Sequence, residues 1–176
     1  MHDTTIKIIY VTDGKNGYNE NNTDISKTRY NETKALMSYM KISNYSFFNL
    51  PDGNVQKHSD VLLDLMVEQI NSFMPDIVMA PHIDEQHPDH LAVAKVILNI
   101  QLILPDINYI SYEVWEKIAN PNFYYILTPN EFYIKCRMLK YYSSQKNVFG
   151  QISNAGVRGK EINSKYAEAY IINERR

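Results

Sequence analysis

The chain is short of several things, and each shortage excludes something. Cys136 is the only cysteine in 176 residues, so no disulfide can form within the chain, which fits a reducing, cytoplasmic setting. No apolar stretch approaches the roughly 20 residues needed to cross a bilayer, and no transmembrane segment is expected. The opening MHDTT is polar, and IKIIYV after it is too short for the apolar part of a signal peptide. Neither sign of charge is in excess. The 18 basic and 20 acidic residues leave a net charge of −2, spread along the chain, which gives no electrostatic case for nucleic acid or an anionic membrane as partner. No repeat and no linker interrupts the pattern, so residues 1–176 read as one domain with enough length for a sizeable core.

What is present is an alternation of strand and helix. TIKIIYVT (5–12) is β-branched and almost continuously apolar, as a strand covered on both faces would be. Residues 13–24 are rich in Gly, Asn and Asp and mark a loop. DISKTRYNETKALMSYMKI reads as a helix, YSFFNL (45–50) as a strand closed by the turn PDGN, and residues 58–73 as an amphipathic helix with Ser59 or Asp60 as N-cap. DIVMA (76–80) is a short strand, HLAVAKVILNI a helix, and 108–115 and 122–127 are further strands. TPNEFYIKCRMLKYYSSQ is a helix whose Thr128, Pro129 and Glu131 form a capping-box pattern. The ambiguous KYAEAYIIN at the end is read as a strand. The order predicts a three-layer α/β fold with a mainly parallel sheet, in which ligands gather beyond the carboxyl ends of the strands.

One such end carries an unusual cluster. Of five histidines, three stand in PHIDEQHPDH (81–90): His82, His87 and His90, with Asp84, Glu85 and Asp89 between them. Pro88 suits the first position of a helix, which puts His87 at the N-cap and His90 in the first turn. The positive end of the helix dipole disfavours imidazolium there, so both rings tend to stay neutral, as a metal ligand or an uncharged hydrogen-bonding catalyst requires. Asp89 is close enough in sequence to hold one imidazole in a chosen tautomer, and His82 and Asp84 are further potential ligands. Plainer readings stand beside these. His82 is a polar loop residue, Asp84-Glu85 a solvated acidic turn, and the His87/His90 pair a helix cap.

Taken in order, IKIIYVTDGKNG, RYNETKALMSYMKI, FFNLPDGN, PDIVMAPHIDEQHPDHLAVA and AGVRGKEINSKYAEAYI resemble the LmbE-like, or PIG-L, zinc-dependent deacetylases, from near residue 6 to about residue 171. The HPDH stretch is the most specific piece. The resemblance implies a Rossmann-like domain that hydrolyses an N-acetyl group, commonly from an N-acetylglucosamine unit, and hence a small N-acetylated sugar or glycoconjugate as substrate. Carried over by motif, His90 is the zinc ligand, His87 polarises the substrate carbonyl, and Asp89 orients and tunes His87. Arg29, in an RxxE segment with Glu32, stands near the substrate end of the pocket. A surface ion pair between Arg29 and Glu32 is an equal reading.

The chain departs from that family in one respect. The family's His-Pro-Asp-Asp-Glu element, which follows its first strand and supplies two zinc ligands and the general base, has no counterpart here. His2-Asp3 is the only upstream His/Asp pair and precedes the first strand. The expectation is therefore an N-terminally incomplete domain, lacking the family's first strand, with an incomplete Zn²⁺ site and with the activity of this chain alone in question. The alternatives are a non-catalytic remnant that binds a sugar or a partner, and a site rebuilt from His82, Asp84, His87 and His90. The rim is expected to include residues 17–26 and the aromatic stretch around Trp115. An uncovered sheet edge would favour homo-oligomers.

Overall fold

The computed structural model describes residues 4–16, 24–145 and 148–173. The elements run β1 (Ile8–Thr12), α1 (Ile25–Met40), β2 (Tyr45–Leu50), a 3-10 turn (Val55–His58), α2 (Ser59–Phe73), β3 (Ile77–Pro81) and α3 (Pro88–Ile103). They continue with β4 (Asn108–Tyr112), β5 (Phe123–Ile126), α4 (Pro129–Leu139), α5 (Val148–Glu161) and β6 (Ala167–Asn173). The α/β class expected from the alternation is what forms. The parallel pairs are β1–β2 and β3–β4, whereas β6 runs antiparallel to both β4 and β5. The described strands make two sheets, β1–β2 and β3–β4–β6–β5.

One core serves both sheets. Leu62, Met66 and Ile70 recur along one face of α2, and Val96, Ile97 and Ile100 along one face of α3, at the spacing of an apolar helical stripe. Against them pack Ile9 and Val11 of β1, Phe48 of β2, Val78 and Ala80 of β3, and Tyr109 of β4. The alternate side chain of β1, Tyr10, points the other way, toward Met37 of α1, and stacks on Phe47. Thus α1 covers one face of the strands and α2 with α3 the other.

Three local expectations change. The strand expected over 108–115 stops at Tyr112, because the next residues turn to wrap a buried carboxylate described below. Helix α2 begins at Ser59 with His58 at its N-cap and no side-chain cap bond, because the 3-10 turn leads straight into it. Helix α5 has no counterpart among the expected elements, because Gly150, Gly156 and Gly159 lower the helix propensity of its segment. Gly159 is required by packing, since a Cβ there would lie 2.6 Å from the Lys165 backbone. The capping box of Thr128 and Glu131 forms as the sequence pattern predicts.

Candidate active site at the carboxyl ends of the parallel strands

The loops after β1, β2 and β3 meet at one end of the sheets. The Asp52 amide donates to the Asp13 carboxylate at 3.3 Å, and the amides of Gly53 and Val55 donate to Asp89 at 2.6 and 3.0 Å. Gly53 has φ +79°, and Gly14 has φ +66° with the Arg29 side chain 3.2 Å from where its Cβ would stand. Glycine at both positions lets the loops close over one another.

Pro88 opens α3, and His87 is its N-cap, with Nδ1 accepting the Asp89 amide at 3.3 Å. The proton of the uncharged ring is therefore on Nε2, which is left to donate outward. Burial, and after it the neighbouring His90 ring, pull the His87 pKa below its ordinary 6.5, against the nearby carboxylates. The ring is 4.5 Å from His90 and meets Trp115 edge-on at 4.6 Å between centroids.

His90, one helical turn on, donates from Nδ1 to Glu85 Oε2 at 3.1 Å. Glu85 is the hub of the cluster, with its side chain wholly shielded from solvent. Its Oε1 accepts three consecutive amides, Val114, Trp115 and Glu116, at 2.9, 3.0 and 3.2 Å. Burial by itself would raise the Glu85 pKa, but the His90 hydrogen bond and these amides outweigh it and hold the carboxyl below its usual range. An ionised Glu85 fixes the proton of His90 on Nδ1 and leaves the Nε2 lone pair available, the tautomer a metal-binding histidine needs.

The other residues singled out in the sequence fall as follows. His82 is fully buried. Its Nδ1 accepts the Asp84 amide at 3.2 Å and its Nε2 faces the Glu116 carbonyl at 3.0 Å, so neither nitrogen is free to bind a ligand. Asp84 is exposed, while Glu85 is not the solvated turn residue it resembles in sequence. Asp89 is buried and directs its carboxylate to Gly53 and Val55; only its backbone amide touches the His87 ring. Arg29 sits behind Gly14 with its Nε buried and unpartnered among the described residues. Glu32 turns away from it to Ser143 and Ser144. Asp52, unremarked in the sequence, faces this region. Burial and the adjacent Asp89 carboxyl raise its pKa, while the Asn16 amide and the Arg29 charge oppose them. The turn PDGN marked its position but not its role. His2-Asp3 and residues 17–23 of the expected rim lie outside the described residues.

These residues do not make a zinc site. Tetrahedral zinc needs three or four convergent donors. The donors here amount to the Nε2 lone pair of His90, and among the described residues no group of three His, Cys, Asp or Glu converges. A cavity of about 260 Å³, lined in part by Met79, Tyr112, Val114, Lys135 and Glu168, lies on the α5 side and contains no histidine.

Over residues 2–101, more than half its length, the chain matches the family described as PIG-L, GlcNAc-PI de-N-acetylase. No curated protein matches it. Among solved structures it is similar to the N,N'-diacetylchitobiose deacetylase from Pyrococcus horikoshii, with TM-score 0.72 at 18% identity over 95% of this chain and 73% of that one. It is similar also to a zinc-inhibited form of a teicoplanin deacetylase, with TM-score 0.73 at 13% identity over 98% and 88%. A 4-carboxy-2-hydroxymuconate hydratase from Pseudomonas putida KT2440 shares the fold equally well, with TM-score 0.71 at 13% identity over 96% and 83%. Identities this low establish a common fold, and a fold that carries both deacetylases and a hydratase does not by itself fix the chemistry.

Proposed function

The chain belongs to the PIG-L family, and from that premise we propose a deacetylase-type amide hydrolase whose pocket takes an N-acetylated amino sugar of the N-acetylglucosamine kind. The observation that carries this reading is the pair formed by His87 and His90, set side by side with opposite tautomers by Asp89 and Glu85. A single site thus presents an N–H donor and a nitrogen lone pair to one small group. In the reading proposed here, His87 Nε2–H donates to the acetyl carbonyl oxygen and to the oxyanion that develops from it. Trp115, half exposed beside both rings, offers an apolar wall for the methyl group or the sugar face. The guanidinium of Arg29 and the carboxyl of Asp52 suit sugar hydroxyls as donor and acceptor.

Zinc is the metal the family resemblance implies. Because the donor set present does not complete its site, no step is derived through it. The roles supported for these side chains are binding, orientation and carbonyl polarisation. That same donor set favours a second reading, in which the chain binds an N-acetylated sugar without turning it over.

The test is titration calorimetry with N-acetylglucosamine and glucosamine, with acetate release followed on the same sample. Preference for the acetylated sugar, lost in His87→Ala and weakened in Arg29→Gln, is expected. Equal binding of the two sugars would sink both readings. Binding with acetate release supports the hydrolase, and binding without it the second reading.

A further inference from the structure

Two walls of different character flank the histidine pair. Strand β4 lies along one edge of β3, with β6 and β5 beyond it, so β1 and β2, which share the α2 and α3 core, stand on the other side of β3. The loops at the carboxyl ends keep that order. The turn after β2 reaches the start of α3 through Asp89, which accepts the Gly53 and Val55 amides. The segment after β4 reaches the loop before α3 through Glu85. Arg29 and Asp52 therefore border His87 and His90 on the β1–β2 side, and Trp115 borders them on the β4 side.

The first wall is polar and the second is a single indole. Trp115 meets His87 and His90 edge-on, with ring centroids 4.6 and 5.6 Å away and an interplanar angle of 77° to each. Rings at these separations touch, so nothing fits between the indole and the pair. Its backbone has no freedom to retreat. The amides of Val114, Trp115 and Glu116 converge on one Glu85 oxygen, and the Val114 carbonyl accepts the Gln151 side-chain amide. The Ile118 amide is held by Glu113 at 2.8 Å, and Arg158 closes the brace by donating to both Glu113 and the Ile118 carbonyl. Pushing the indole outward would break hydrogen bonds to a buried carboxylate, which costs more than burying one methylene returns.

We propose that Trp115 sets the length of the acyl group, so that the site admits acetyl and rejects longer chains. The inference rests on the reading of His87 Nε2–H as donor to the acyl carbonyl. An oxygen accepting at about 2.9 Å from Nε2 leaves the two other substituents of its carbon, the amide nitrogen and the methyl, on opposite flanks of the pair. The sugar on the nitrogen carries hydroxyls suited to Arg29 and Asp52, so it takes the polar side. The methyl then faces the indole, and each further methylene has to overlap the ring or displace its braced segment.

Trp115 is the only tryptophan in the chain and is 51% exposed, so its fluorescence reports directly on a group that covers it. The full chain is titrated with glucosamine and with its N-acetyl, N-propionyl and N-butyryl derivatives, reading calorimetry and indole emission on the same samples. The acetyl sugar should shift the emission to shorter wavelength, and glucosamine should leave it in place. N-butyrylglucosamine should bind the wild type about tenfold or more weakly than N-acetylglucosamine. Trp115→Ala should bring the acyl sugars to equal affinity. Trp115→Phe, a smaller ring that serves if the alanine variant does not fold, should move the preference toward propionyl. Equal binding of acetyl and butyryl sugars by the wild type would overturn the proposal. So would an unchanged ratio in both variants, or an emission indifferent to the acyl group. Loss of all three acyl sugars by one common factor in Trp115→Ala would also overturn it, by placing the indole on the sugar face. Acetyl against butyryl tests the wall, whereas acetylated sugar against glucosamine tests the functional reading, so the wall can fail while that reading stands. A wild type that does not tell the acetylated sugar from glucosamine removes both.

Discussion

Glu85 and His90 are joined at 3.1 Å, carboxylate to Nδ1, across a buried carboxylate that no solvent reaches. The same carboxylate holds Val114, Trp115 and Glu116, so one side chain sets both the tautomer of the histidine and the position of the aromatic wall beside it.

Replacing Glu85 with alanine leaves three amides and the His90 ring without their acceptor. A loss of about 3 kcal/mol is expected, read by urea denaturation. Glu85→Gln keeps an acceptor and should lose less. In the wild type the carboxyl is held below its ordinary 4.5, so its contribution is complete above that pH and is lost as pH falls through the lower folded value. The acid limb of stability should therefore be shallower in Glu85→Gln. An identical acid limb in the two proteins would remove Glu85 from the account.

His87 should titrate below 6.5 in the folded chain, because burial and the His90 ring both disfavour its charged form. Its contribution to stability is then present above pH 6.5 and declines as pH drops toward the folded value. Sugar binding through an Nε2–H donor should be level from about pH 7 to 8. Nuclear magnetic resonance of the ring protons checks the midpoint, and His90→Ala should move it upward. A midpoint above 6.5 in the wild type would contradict the arrangement.

Asp89 ties the start of α3 to the turn after β2 through Gly53 and Val55. Truncation to alanine should cost about 2 kcal/mol, measured by thermal melting, with Asp89→Asn intermediate because one amide keeps its acceptor. If Asp89 acts instead on the His87 ring alone, Asp89→Asn would shift the His87 titration and leave the melting temperature in place.

Arg158 is buried and bonds Glu113, Glu161 and the Ile118 carbonyl, bracing the 113–118 segment that carries Trp115. Arg158→Ala should lose about 3 kcal/mol, because the largely enclosed Glu113 loses its cation and keeps only the Ile118 amide. Lysine, with a single ammonium in place of a planar fork, should not restore it. Full rescue by lysine would show that charge alone matters there.

The sequence alone determined what depends on near neighbours. Pro88 sets the first turn of α3, which places His87 at the cap and His90 one turn on, and Thr128 with Glu131 starts α4, because caps and turns involve residues only a few positions apart. The alternation of elements fixed the α/β class for the same reason. Tertiary structure alone decided the roles of the carboxylates. Glu85 finds its amides 29 to 31 residues away, and Asp89 finds Gly53 and Val55 36 and 34 residues away. No local spacing reveals which carboxylate is solvated and which is enclosed; that depends on which loops the sheets bring together. The antiparallel run of β6 against β4 and β5 belongs to the same category, since strand order is settled by helix packing on two faces and not by the strands' own composition.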